Sequence, residues 1–524
     1  MKSFWSVILV VAIFLSFQSN ALADNASHKQ LVTKATAALK DTAKNKAVNK
    51  SQWYPSFHFA PQAGWMNDPN GMIFFNGEYH LFYQHNPYSA KHENMHWGHA
   101  ASPDMVNWRY LPVALAPSED YDKNGVFSGS AIVHDGILSL LYTGNVENKV
   151  NDKVEKHQTQ NLAISKDGIN FGKSANNPVI KMAPHYSSYV FSRADFRDPF
   201  VWMQDEHYYA LIGTQYEKTK DGAVLLFKSK DLRNWVFINI TAIGSKGEMG
   251  YMWECPNFTH LGGEDVLMIS PQGIKPNGKQ FLNKYQAGWF VGKLDYNSGR
   301  FKQSSPFGLF DYGFDFYAPQ VMKTPDGRSV IIGWLDMWDT KMPEQSHGWA
   351  GMMSLPREMK IVNGRVVTLP VAELKALRTD VECLRNIAFK GTKSFNNVKG
   401  EVYEMELQAD LAKASKFELK LRASQHQETL LVYDKTAGVL KLNRDKSGQG
   451  LTGEREVKLP LVNNKLKLHI FVDKSSIEVF AQDGKAVMSS RIYPDKTSQA
   501  VHFVSDNDMV LDYLNFYKLK SIHN

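Results

Sequence analysis

The sequence has 524 residues, with 60 Lys and Arg against 53 Asp and Glu for a formal charge of +7, and it is 43% hydrophobic and 12% aromatic. Hydrophobic content this high with only 22% charged residues excludes a disordered chain, a collagen-like repeat and a small disulfide scaffold, and the length implies more than one packed domain. With only Cys255 and Cys383, the chain can form at most one disulfide and cannot build a Cys-rich metal site; both are expected as free, packed thiols.

Residues 1–23 read as a secretory signal: Lys2 is the basic start, Val7 to Phe17 is apolar apart from Ser16, and Ala21-Leu22-Ala23 offers small residues for cleavage. The apolar stretch from Phe4 to Phe17 is 14 residues, short of the roughly 20 that span a bilayer, so removal rather than stable membrane anchoring is expected, with an extracytoplasmic mature protein. Residues 24–50 form an Ala/Lys-rich arm without Gly or Pro, expected as a solvated helix or flexible leader. Six lysines against Asp24 and Asp41 put four of the net charges on it. The body from Ser51 onward is therefore close to neutral, which argues against a nucleic-acid partner.

From Ser51 the chain repeats. Five segments read as strand, tight turn, strand: Gly71–Tyr83, Ala131–Tyr142, Phe200–Ile212, Phe258–Ser270 and Gln320–Trp334, with Asn76-Gly77, Asp135-Gly136, Gly262-Gly263 and Asp326-Gly327 supplying hairpin-turn chemistry. A second marker, Ser102-Pro-Asp104, Ser165-Lys-Asp167, Ser229-Lys-Asp231 and Lys293-Leu-Asp295, recurs at steps of 63, 64 and 64 residues. A repeating antiparallel unit of this length predicts a five-bladed β-propeller over 51–360. An alternating strand pattern from 374 to 524 predicts a β-sandwich, with 361–373 as linker. The fold class is all-β.

Immediately before each hairpin lie Asn67-Asp68-Pro69, Phe127-Ser128-Gly129, Arg197-Asp198-Pro199, Glu254-Cys255-Pro256 and Phe316-Tyr317-Ala318. If each hairpin opens with the innermost strand of its blade, these positions meet at one mouth of the channel, and three of them are carboxylates. Grouped carboxyls push their pKa values apart, so one can act as acid while another is an ionised base or nucleophile, as glycoside cleavage requires. A catalytically dead sugar-binding propeller is the alternative from another class. His92-Glu93-Asn94-Met95-His96 matches HExxH, but Pro87, Gly98 and the lack of a helical period argue against a zinc-binding helix. His85, His92, His96 and His99 are read instead as supporting or packing residues.

The stretches GWMNDPNG (64–71), MHWGHAASPDMVNW (95–108), FSGSA (127–131), FRDP (196–199), MWECPN (252–257) and DFYAPQ (315–320), in this order, resemble glycoside hydrolase family 32 β-fructosidases. The resemblance implies Asp68 as nucleophile, Glu254 as acid/base and Asp198 as transition-state stabiliser, kept ionised by Arg197. It further implies substrate contacts from Trp65, Met66, Asn67, Gln84, Trp97, Phe127, Ser128, Arg197 and Trp334, with no metal and no cofactor. Retention of configuration would place the carboxyls of Asp68 and Glu254 about 5 to 5.5 Å apart. Two departures stand out: His92 replaces an aromatic frequent in the family, and Asn257 replaces an Asp. The expected substrates are sucrose and short fructo-oligosaccharides, with exo-acting levan or inulin hydrolysis as runner-up. Sucrose-6-phosphate formed inside the cell would not reach an enzyme carrying a signal segment.

Overall fold

The computed structural model describes residues 26–186 and 189–523, so the segment read as a signal lies outside it. Among the described residues no helix is long and apolar enough to cross a membrane.

Five sheets form a propeller, antiparallel apart from the pairing of Trp349–Ala350 with the first inner strand. Their inner strands are Gly64–Phe75, Val126–His134, Tyr189–Gln204, Met252–Leu261 and Tyr317–Lys323. Each inner strand neighbours the next, and the fifth returns to the first. The hairpin turns follow the sequence chemistry: Asn76 and Gly77 have φ of 49° and 85°, Asp135 and Gly136 50° and 72°, Gly262 and Gly263 59° and 82°. The Ser-x-Asp marker closes the third strand of a blade. In blades one to three the Asp carboxylate accepts two backbone N–H groups of the following turn, and the Asn three residues on (Asn107, Asn170, Asn234) donates to it at 2.7 Å. The repeat is thus a self-capped turn leading to the outer strand.

One boundary and the state of the arm differ from the sequence reading. Residues 361–370, expected as linker, belong to blade five, where Arg357–Val362 pairs antiparallel with Arg365–Pro370. The arm is a helix rather than a flexible leader, and it is docked on one side: Ala26–Asn45 buries His28, Ala35 and Leu39, and Val113 N–H donates to Thr36 Oγ1 at 3.1 Å. Its three buried positions share one side of the helix, which leaves the lysines outward.

Ten strands from Arg378 to Leu519 make the C-terminal sandwich around a core of Leu407, Leu419, Leu468, Val479 and Phe503. A second apolar cluster joins the two units, with Phe57, Phe59, Leu355 and Leu374 packed with Phe471, Phe480 and Leu519. Buried charges reinforce this seam. Glu478 Oε1 accepts from His58 Nε2 at 3.0 Å and from Leu355 N–H at 2.7 Å, its Oε2 accepts from Arg357, and Asp473 takes His58 Nδ1 at 2.9 Å. Arg491 binds Asp336 and Glu344 at 2.6 and 2.8 Å, and Arg444 binds Asp315 at 2.7 Å. The cysteines are both free; Cys255 is buried, whereas Cys383 is exposed rather than packed.

Candidate active site

All five inner strands break register at the same height. The ladder skips between Met66 and Pro69, Phe127 and Gly129, Arg197 and Phe200, Glu254 and Asn257, and Tyr317 and Gln320. These are β-bulges, which turn side chains out of the alternating pattern and are common beside active sites. Asp198, Cys255 and Ala318 take φ of 63°, 45° and 47°, a conformation that side-chain-bearing residues rarely adopt. Pro199, Pro256 and Pro319 fall where the ladder is interrupted, so their missing N–H costs no hydrogen bond.

The bulges gather the three acids. Asp68 Oδ2 accepts from Ser128 Oγ at 2.7 Å and its Oδ1 from Asn67 Nδ2 at 3.0 Å, while Asn67 Oδ1 accepts from Trp65 Nε1 at 2.7 Å. Asp198 Oδ2 accepts the Cys255 N–H at 3.0 Å. The Cys255 thiol lies between the two aspartates, its Sγ 3.6 Å from Asp68 Oδ2 and 3.6 Å from Asp198 Oδ2. Glu254 lies on the same strand, immediately before Cys255, and is gripped on both oxygens: Oε1 by Arg197 Nε and Nη2 at 3.0 and 2.8 Å, Oε2 by Gln272 Nε2 at 2.8 Å and by the Tyr317 hydroxyl.

Burial pushes Asp68 up to about 6, helped by the nearby Glu254 charge and opposed by the Ser128 and Asn67 hydrogen bonds. Asp198 is also raised: burial and the neighbouring carboxylates outweigh Arg197. This corrects the sequence expectation for Arg197, whose guanidinium bonds Glu254 and, at 2.8 Å, Asp195 instead of Asp198. Burial also raises the Cys255 thiol far above its ordinary range, so it is a neutral donor to the aspartates.

Of the expected substrate contacts, Trp65, Asn67, Phe127, Ser128 and Arg197 belong to this cluster. Gln84 stands beside it, donating to the Val126 carbonyl at 2.9 Å. Met66, Trp97 and Trp334 are each 0% exposed and do not line an open pocket. Met66 packs in the apolar seam with Phe57 and Phe59. Trp97 donates to the Phe127 carbonyl at 3.0 Å, and Trp334 lies against Trp65 at 5.9 Å, so both act from behind the wall.

The departure at His92 is filled rather than empty. Its ring meets Trp65 edge-on at 5.9 Å and Trp338 at 4.8 Å, so an imidazole completes the aromatic wall. His96 begins an extended strand, and the HExxH segment holds no helix. Asn257 donates to the carbonyls of Cys255 and Pro319 and accepts from Val321 N–H at 3.0 Å, tying the bulges of blades four and five. An Asp could not donate both bonds. The sequence reading missed Gln272 and Trp338, and gave Tyr317 no part in holding the acid; Tyr317 was nevertheless visible as the fifth repeat position.

Comparison with known proteins gives the family and the fold. The family model "Glycosyl hydrolases family 32 N-terminal domain" matches residues 58–370, and "Glycosyl hydrolases family 32 C terminal" matches residues 373–518. The chain is 40% identical to a sucrose-6-phosphate hydrolase of Zymomonas mobilis, over 91% of this chain and 93% of that protein. It is 41% identical to a raffinose invertase of Escherichia coli, over 92% and 98%. Among solved structures, a Bombyx mori β-fructofuranosidase superposes with a TM-score of 0.82 at 36% identity, covering 94% of this chain and 99% of the other.

Proposed function

From the chain's membership of glycosyl hydrolase family 32, which makes it a glycoside hydrolase, we propose a retaining β-fructofuranosidase that releases terminal fructose from sucrose and short fructo-oligosaccharides. The supporting observation is the convergence of Asp68, Asp198 and Glu254 on bulges of three inner strands, with Cys255 Sγ 3.6 Å from both aspartates.

Asp68 attacks C2 of the fructosyl unit as its leaving oxygen takes a proton from Glu254, giving a fructosyl ester; Glu254 then takes a proton from the water that hydrolyses it. Asp198 accepts hydrogen bonds from fructose hydroxyls. Ser128 and Asn67 hold the Asp68 carboxyl plane, and Arg197, Gln272 and Tyr317 hold that of Glu254, so both reacting groups are oriented before substrate arrives. The chemistry assigned to these residues calls for no metal or cofactor.

A second reading, hydrolysis of sucrose-6-phosphate, is favoured by the activity for which the Zymomonas relative is named. The leader-like residues 1–23 support an extracytoplasmic enzyme acting on the unphosphorylated sugar. Fructose release from sucrose, sucrose-6-phosphate, inulin and levan separates these readings. Glu254→Gln and Asp68→Ala are each expected to lower turnover at least 1000-fold with the fold intact by circular dichroism. Substantial residual turnover in either would remove the two-carboxylate mechanism. Turnover in methanol should yield the methyl β-fructofuranoside; the α-anomer would exclude retention.

A further inference from the structure

The group that protonates the glycosidic oxygen marks the side on which the leaving sugar lies. Beside Glu254 stand two tyrosines that the fructosyl site does not use. Tyr285 is half-buried, its ring centroid 5.7 Å from that of Tyr317, whose hydroxyl bonds Glu254. With Tyr317 at one side and the Lys284 ammonium 5.5 Å from its centroid, Tyr285 is left to offer its hydroxyl edge. Tyr251 stands farther out, 40% exposed, with its hydroxyl 3.5 Å from that of Tyr285.

One residue registers both tyrosines to the acid. The Gln272 side-chain amide donates to Glu254, the Gln272 backbone carbonyl accepts from Tyr251 N–H at 2.8 Å, and the same backbone bridges to Tyr285. The Tyr251 ring lies against Gly273, where an added Cβ would come within 2.6 Å of Tyr251 Cδ1 and where φ is 88°. Backbone therefore covers part of the ring and fixes its attitude, while the rest stays open. A fixed, exposed aromatic ring with a polar tip suits the apolar face and hydroxyls of a pyranose or furanose, whereas a core tyrosine would be enclosed.

Resting on the fructosidase reading, we propose that Tyr285 contacts the first sugar unit beyond the scissile bond and Tyr251 the second. Tyr251 then determines selectivity for neutral fructosyl trisaccharides over sucrose, which has only one unit beyond its fructose. The contribution enters through the ring face, so phenylalanine can replace it and alanine cannot.

The test is initial-rate kinetics of fructose release from sucrose, raffinose and 1-kestose by the full chain, its Tyr251→Ala and Tyr251→Phe variants, and, as a control, Met203→Ala, an exposed residue at the far end of the inner strand that carries Asp198. The expected result is that Tyr251→Ala raises KM for both trisaccharides about tenfold, at least five times more than for sucrose. Trisaccharide kcat should stay within threefold, Tyr251→Phe should retain most of the affinity, and Met203→Ala should match wild type. Equal effects on sucrose and trisaccharides, or no effect on either, would overturn the proposal while leaving the fructosidase reading intact. A wild-type protein that releases fructose from none of the three would remove both.

Discussion

Asp68 has conflicting demands, because a nucleophile must be ionised but its site is dry. Its folded pKa of about 6, against 3.8 for an ordinary Asp, means the folded state binds the proton more tightly than the unfolded chain. Stability therefore falls as pH rises from about 4 to about 6, while the reactive carboxylate accumulates over the upper part of that window. Two outcomes follow. The acid limb of kcat/KM should lie near pH 6 in steady-state rates. Asp68→Asn should be inactive yet more stable than wild type at pH 7, by on the order of 1–3 kcal/mol in denaturant melts, with the difference vanishing near pH 4. An Asn variant no more stable at pH 7 would mean that Asp68 is better solvated than its 9% exposure implies. The three acids were legible in the sequence because repeat spacing aligned them. Gln272 was not, since its role depends on a carboxylate 18 residues away on the neighbouring strand, and nothing in its local pattern marks it.

At the level of strands and turns, the blade's regular parts were readable and its irregular ones were not. Turn pairs such as Asn76-Gly77 carry their own conformational signature, and the Ser-x-Asp marker repeats with the blades. The bulges carry no comparable signal: Asp198 and Cys255 adopt positive φ although neither is glycine, because surrounding strands impose it. Likewise residues 361–370 fell between the repeats and the alternating strands and read as linker, yet Asn363-Gly364 is a hairpin turn of blade five. The marker turns are predicted to serve stability alone. Asp231→Ala removes the acceptor for Arg233 N–H, Asn234 N–H and Asn234 Nδ2, and should cost about 1–2 kcal/mol in thermal or denaturant melts. Its kcat/KM on sucrose should stay within twofold of wild type; a larger loss would link this outer turn to the channel.

Across the whole molecule, the seam behaves as an electrostatic lock. Burial alone would lower His58, but hydrogen bonds and charge from Asp473 and Glu478 more than offset it and hold the ring up to about 9. A raised folded pKa stabilises fully below about 6.5 and loses its effect as pH climbs through 9. Wild-type melting temperature should accordingly drop between pH 7 and 9.5. His58→Asn should melt lower at pH 7 and lose that slope, with a difference on the order of 2–3 kcal/mol at neutral pH. Parallel slopes in the two proteins would place the titrating group elsewhere.

Glu478 has a further consequence, for how the chain is made. It bonds His58, which precedes the first blade, together with Leu355 and Arg357 in the last, so the carboxylate that clasps the ring's two ends lies more than 100 residues beyond the propeller's final inner strand. During synthesis all five blades emerge from the ribosome before this carboxylate exists. The first and last blades also meet through their own strands, Gly64-Trp65 pairing with Trp349-Ala350, so Glu478 adds a second fastening once the sandwich hairpin around it has been translated and folded against them. Chain order thus leaves the last fastening of the propeller to the C-terminal domain.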